Sequence, residues 1–293
     1  MTFRATPIDD FKPPRRLPWA LSFTLRNPGI VAGGAILLFM FAVSVGAPIL
    51  AANAPTAIIP EFRLKPPSAD LWFGGDTMGR DLWSRTVHGG RVSLVVGVVT
   101  ASATALCGLT IGLAAGFFRF LDEIVMRIMD GLMAIPGILL AIALMAVAGS
   151  SLQNVIIAIT IPEIPRVVRL VRAMVLSIRE MPFVEAAVSV GNSKIRIILR
   201  HVLPNTLAPL AVQATYVCGA AIIYESYLSF LGAGIPPEIA SWGNIMAEGR
   251  VFFLVAPWMI LIPGCFIGLT VLAINILGDG LRDMLDPRIS RNL

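Results

Sequence analysis

Three long stretches of this chain carry no charged side chain, and they fix its solvent before anything else is considered. Ile30 to Leu50, Val92 to Phe118 and Val251 to Gly278 hold neither acid nor base. Each is long enough to cross roughly 30 Å of hydrocarbon as a helix. Gly131 to Ala148, Val155 to Ile164 and Leu207 to Leu231 are weaker runs, the second holding Glu163 and the third Glu225. With 56% hydrophobic and 14% charged residues, the chain exceeds what a soluble core of this length requires. The expected fold class is therefore an all-α polytopic membrane protein with six transmembrane helices.

The run from Val155 is too short to span alone, but its helical pattern continues through Arg166, Arg169 and Arg172 to Ser177. It is expected to leave the membrane and project onward, kinked at Pro162 and Pro165. Lys and Arg placement sets the orientation, because cytoplasmic flanks retain positive charge. With the N-terminus inside, 17 of the 23 basic residues fall in 1–29, the short turn near Arg119 to Arg127, 166–206 and the tail after Gly278. Arg63, Lys65, Arg80, Arg85, Arg91 and Arg250 face out. The organisation expected is a cytoplasmic tail over 1–29, a first span over 30–50, an external loop over 51–91, a five-helix core over 92–280 and a cytoplasmic tail over 281–293. Ala52-Asn53-Ala54 loosely resembles a signal-peptide cleavage site, yet the apolar run before it is too long, and a retained anchor is expected.

The net charge of +5 belongs to the membrane flanks, and no basic stripe is interleaved with aromatics, so nucleic acid is not indicated. Cys107, Cys218 and Cys265 all sit inside spans without CxxC spacing, which argues against a disulfide framework and against a metal site. Gly108, Gly112 and Gly116 recur every four positions along the second span, a ladder that lets another helix approach closely. In the external loop, Asp76 or Thr77 is placed to cap a short helix from Gly79 to His88.

The longest charged interval between spans, 178–205, reads as two short helices around a break. Pro182 suits a first turn; Phe183, Ala186, Ala187 and Val190 recur at helical spacing, and Gly191 suits the stop. Ser193 caps a second helix with Ile195, Ile198, Leu199 and Val202 on one face, ended by Pro204. By its residues alone this element is equally a cytoplasmic helix-turn-helix or a basic amphipathic element on anionic lipid.

Glu185-Ala186-Ala187, then Gly191, then Leu203-Pro204 resemble the EAA loop of ABC importer permeases. His201 departs from the general aliphatic consensus, while Arg200 to Asn205 looks typical of the peptide-importer branch. Phe73-Gly74 with Asp76, Gly79-Arg80-Asp81, Ser84-Arg85, Arg91-Val92-Ser93-Leu94, Leu228 to Gly232, Ser241-Trp242-Gly243, and Asn275 with Gly278 to Asp283 and Leu285-Asp286-Pro287 extend the likeness over roughly residues 25 to 290. It is similar to the dipeptide, oligopeptide and nickel importer permeases, on the side with a long first external loop.

The resemblance implies a type I importer permease fold in a bacterial-type inner membrane, both termini cytoplasmic. It implies a sister permease, two ABC ATPase subunits that carry ATP and Mg, an extracytoplasmic solute-binding protein and a peptide substrate, with no cofactor bound by this chain. Glu185, Ala186, Ala187, Gly191, His201, Leu203 and Pro204 then couple the chain to the ATPases. The sequence has no GxxxxGK[ST] phosphate loop, no HExxH and no GxSxG elbow. A carboxylate inside a span is expensive, so Glu225 either lines the substrate route or is protonated or hydrogen-bonded to a sister-subunit helix. Asp130 and Asp279 are expected to pair with Arg127 or Arg282. A nickel or other small-solute importer is the alternative within the class. An intramembrane enzyme using Glu225 and Asp130 is the alternative outside it.

Overall fold

Apolar helices dominate the computed structural model, which describes residues 27–285. Most of the expected cytoplasmic tail over 1–29 and the end of the tail over 281–293 lie outside the described residues. Pro28, whose fixed φ suits a first turn, opens α1 (Pro28–Val45), and after a break at Gly46 the chain makes the short α2 (Ala47–Leu50). The single first span expected over 30–50 is thus bent near its end.

The loop over 51–81 then runs into α3 (Leu82–Phe117), one helix of 36 residues. No separate helix over Gly79 to His88 exists, because nothing between His88 and Val92 breaks the hydrogen-bond ladder. The cap also differs from expectation: Asp81 accepts from the Trp83 N–H at 3.0 Å, while Asp76 accepts from the N–H groups of Met78 and Arg80. Asp76 sits too far upstream to cap, and closes the preceding turn instead.

The expected turn at Arg119 to Arg127 is helical, forming α4 (Arg119–Met133), and α5 (Gly137–Ala148) leaves it at 87°. Pro136 explains the break, since proline removes an N–H and pushes the residue before it out of the helical region. The run read as one span over Gly131 to Ala148 is therefore half of a bent pair. Among the described residues four helices are long and apolar enough to cross a membrane, five if the bent pair counts as one, so six are not reached there by length and apolarity.

The helix expected to begin at Val155 is α6 (Leu152–Arg179), continuous through Pro162 and Pro165. It does not leave the bundle after Ile164. A Cβ built on Gly108, Gly112 or Gly116 of α3 would lie 2.4, 2.7 and 2.7 Å from side-chain atoms of Val167, Val171 and Val175. Three valines four apart thus sit on three glycines four apart, and this close approach keeps α6 against the uncharged part of α3 for its whole lower half.

The loop helices α7 (Pro182–Ser189) and α8 (Lys194–Ile197) follow, and a π turn over Ile198–Val202 feeds directly into α9 (Leu203–Phe230). Pro204 does not end the second helix as expected. It falls in the first turn of α9, where a missing N–H is tolerated, and the Asn205 amide donates to the His201 carbonyl at 2.6 Å. After α9, α10 (Trp242–Gly249) folds back under the 51–81 loop, with Trp242 fully buried and its indole N–H donating to Thr86 O at 2.9 Å. The last helix, α11 (Trp258–Leu285), starts after Pro257, seven residues later than the apolar run suggested. Val251, Leu254 and Val255 are left exposed in the preceding turns.

Candidate functional site

The interval 178–205 folds as a unit because its inner face continues the α3–α6 seam. Val175, Ile178, Val184, Ala187, Ile197, Val202 and Leu210 form one buried cluster. The α7 helix ends on Gly191 at φ +80°, a left-handed conformation that favours glycine, although open space surrounds the position. Gly191 N–H reaches Val188 O at 2.9 Å and Asn192 N–H reaches Ala187 O at 3.2 Å, the paired bonds of a Schellman stop. Ser193 Oγ then accepts from Arg196 N–H at 3.4 Å.

The buried faces follow the spacing only in part, at Ala187 and Val202. Val184 and Ala187 point inward from α7, whereas Phe183, Ala186 and Val190 are exposed. In the second helix Ile197 and Val202 are buried, five apart across the π turn, while Ile195 and Leu199 are exposed. One extra residue per π turn shifts the stripe, and a strict 3.6-residue period cannot anticipate it. Glu185 stands exposed in the first turn of α7 without an ion pair among the described residues. His201 is half-buried with its ring 6.2 Å from that of Phe183; Leu203 is half-buried and Pro204 exposed. The outer face so formed holds Met181, Phe183, Val188, Val190, Ile195 and Leu199, all exposed.

Charged side chains elsewhere fall into three groups. At the N-terminal end of α3 Arg85, 1% exposed, donates to Asp76 Oδ2 at 2.6 Å and to both oxygens of Glu248 at 2.6 and 3.0 Å, and Arg80 bonds the same two acids at 2.5 Å. Burial pushes the Asp76 carboxyl up, but the Arg80 N–H and the two guanidinium groups outweigh it and hold the group below its ordinary value. Glu248 went unnoticed in the sequence, where an isolated acid between Ala247 and Gly249 gave no sign of its partners.

Along α6, Arg166, Arg169 and Arg172 each face a carboxylate: Glu163 at 3.5 Å, Asp130 at 2.5 Å, and Asp122 in a two-bond contact. Asp130 therefore pairs across to α6 and not with Arg127, because α4 lies against α6 and presents its acids there. Asp279 accepts from the Tyr216 hydroxyl of α9, and no ion pair joins it to Arg282 among the described residues.

Glu225 is fully buried. Its carboxylate accepts from Ser93 Oγ at 3.3 Å, Ser229 Oγ at 2.9 Å and Ser241 Oγ at 2.8 Å, which belong to α3, α9 and the cap of α10. It shares no hydrogen-bond partner with Asp130, and the two do not form a joint acid pair.

A bundle of apolar helices closed at one end by a buried charge cluster and carrying one packed polar excursion with an apolar outer face is a polytopic helical membrane protein. Residues 108–291 match the family described as binding-protein-dependent transport system inner membrane component, and the chain belongs to that family. It is 50% identical over 266 residues to the "Probable peptide ABC transporter permease protein y4tQ" of Sinorhizobium fredii, covering 91% of each chain. To the "Dipeptide transport system permease protein DppC" of Alkalihalophilus pseudofirmus it is 43% identical, covering 93% of this chain and 90% of the relative. The fold is similar to that of a chain in the inward-facing MetNI methionine ABC transporter, at a TM-score of 0.54 and 21% identity, over 70% of this chain and 98% of that one.

Proposed function

We propose that this chain is the permease subunit of an ATP-driven importer for di- and oligopeptides, driven through the 178–205 loop. The observation that carries the coupling role is the loop's construction. Its inner face is continuous with the core of the α3–α6 seam, and its outer face presents six apolar side chains to solvent. An exposed apolar patch rimmed by polar residues marks a protein contact. A surface so braced moves as one body when a partner closes on it. Glu185, Ala186, Ala187, Gly191, His201, Leu203 and Pro204 belong to this docking element. ATP and Mg reside on two ATPase partners; a sister permease and an extracytoplasmic binding protein complete the assembly. The chain itself performs no catalysis, and both termini are cytoplasmic. The names of the relatives support the peptide substrate, and nickel or another small solute is the alternative. For Glu225 we take a structural role within this chain, in place of the sister-subunit contact expected, because its own serines occupy the carboxylate.

Gentle detergent purification of the tagged chain from its native membrane tests this reading. The wild type is expected to retain two related ATPases and one similar permease, and Glu185→Lys to lose the ATPases while keeping the permease. Recovery of this chain alone under confirmed mild conditions, or normal labelled-dipeptide uptake by both Glu185→Lys and Gly191→Pro, defeats it.

A further inference from the structure

All three tyrosines of the chain lie on α9, and they share a face. Gln213, Tyr216, Ala220, Tyr224 and Tyr227 fall within an arc of about 100° at 3.6 residues per turn. This is the less buried side of the helix: Tyr227 is 55% exposed, and the other four are half-buried. The stripe runs about 21 Å at 1.5 Å per residue, most of a hydrocarbon thickness.

Near Tyr224, α6 carries Arg166, whose side chain is 56% exposed, beside Glu163, whose side chain is 4% exposed. The next residue, Val167, packs on Gly108, inside the uncharged run of α3. With the uncharged run of α3 read as its membrane span, that contact sets Arg166 at hydrocarbon depth, where a lipid-facing guanidinium is costly and an arginine marks a partner or a watery path. Glu163 lies 3.5 Å from it, yet Glu163 Oε2 makes no hydrogen bond among the described residues. The acid holds the base in place without saturating its five donors. Tyr224 interacts electrostatically with both, and with Tyr227. One turn further along α6, Leu170 joins Gln213, Tyr216 and Arg282 in lining a cavity of about 500 Å³ between α6, α9 and α11.

Resting on the peptide-importer reading above, we propose that this face is the wet wall of the substrate route and that Arg166 takes the substrate's terminal carboxylate. Every peptide ends in a carboxylate whatever its side chains, and a guanidinium grips that group through two parallel bonds. Glu163 is a positioning residue, and the tyrosine face is a flat wall that tolerates varied side chains.

The test uses the assembled importer in detergent, with Ala220→Cys in this chain and Cys107, Cys218 and Cys265 replaced by alanine. A charged, membrane-impermeant thiol reagent is applied and the mass shift of this chain is read. Modification is expected, slowed at least fivefold by millimolar dialanine and not by its C-terminal amide. Arg166→Gln is expected to remove the protection and Arg166→Lys to keep part of it, with ATP hydrolysis by the complex persisting in both. An unreactive Ala220→Cys overturns the wet wall, as contact with lipid or the sister permease would produce. Protection equal for the amide, or surviving Arg166→Gln, overturns the carboxylate role. Uptake of labelled dialanine by the wild-type importer with its binding protein is measured separately: its failure removes the peptide reading, while the labelling still decides whether the face is wet.

Discussion

Arg85, near the start of α3, places its guanidinium on Glu248, 163 residues away at the end of α10. The contact staples the 51–81 loop and α3 to α10, and Asp76 and Arg80 complete a cluster of two cations and two anions. Removing one partner of a buried pair strands the other charge, a loss of about 3–5 kcal/mol in typical cases. Arg85→Ala is expected to lower the thermal midpoint of the detergent-purified protein by several degrees. Arg85→Met with Glu248→Met is expected to cost less than the sum of the single changes, since neither charge is then stranded. Additive losses would show that the two residues do not act on each other.

Asp76 gives the same cluster a pH dependence. Its carboxyl is held below its ordinary value in the folded state, so its stabilisation is fully present above the unfolded value of about 4. It is lost as pH falls through the lower, folded value. The thermal midpoint of the wild type is expected to fall more steeply from pH 5 to pH 3 than that of Asp76→Asn, which starts lower at neutral pH. Parallel curves would remove Asp76 from the account.

Gly112 meets Val171 so closely that an added Cβ would lie 2.7 Å from the valine Cβ and 3.0 Å from Val168 O. Neither is the yielding end of a flexible side chain. Gly112→Ala is expected to destabilise by about 1–3 kcal/mol, the usual range for overpacking, and Gly112→Leu by more. Val171→Ala should recover part of the loss in Gly112→Ala by removing the facing methyls. Wild-type stability of Gly112→Ala in detergent melts would mean that α3 and α6 separate easily.

How much of this was legible follows from which physics a single sequence carries. Uncharged runs announce helices and a glycine ladder announces close packing, because both are local. The α7 stop at Gly191 was equally local. The break at Pro136 was readable in principle, yet apolarity on both sides hid it, and the run from Gly131 was taken as straight. The π turn at Ile198–Val202 left no residue-type signature, so the buried stripe was placed on Ile195 and Leu199 instead of Ile197. Partners across space stayed hidden: Asp76, Arg80 and Arg85 stood in noticed motifs, but nothing in the chain order pointed to Glu248. Ser93 and Ser241 likewise lay in noticed motifs without showing that both reach Glu225.

Those serines make Glu225 the anchor of the external end of the bundle. One carboxylate collects hydroxyls from α3 and α9 and from the residue that caps α10 through the Asn244 N–H at 3.2 Å. Truncation to Glu225→Ala leaves these donors facing a void, at about 1–3 kcal/mol for each buried group left unsatisfied. Glu225→Gln keeps the size and one acceptor, and should retain most of the fold. The expected readout is local: Glu225→Ala frees the 232–241 segment to protease, Ser241→Ala does so weakly, and Glu225→Gln hardly at all. An importer in which Glu225→Ala leaves that segment protected, yet stops uptake, would return the residue to the substrate route and take away its role as a lock.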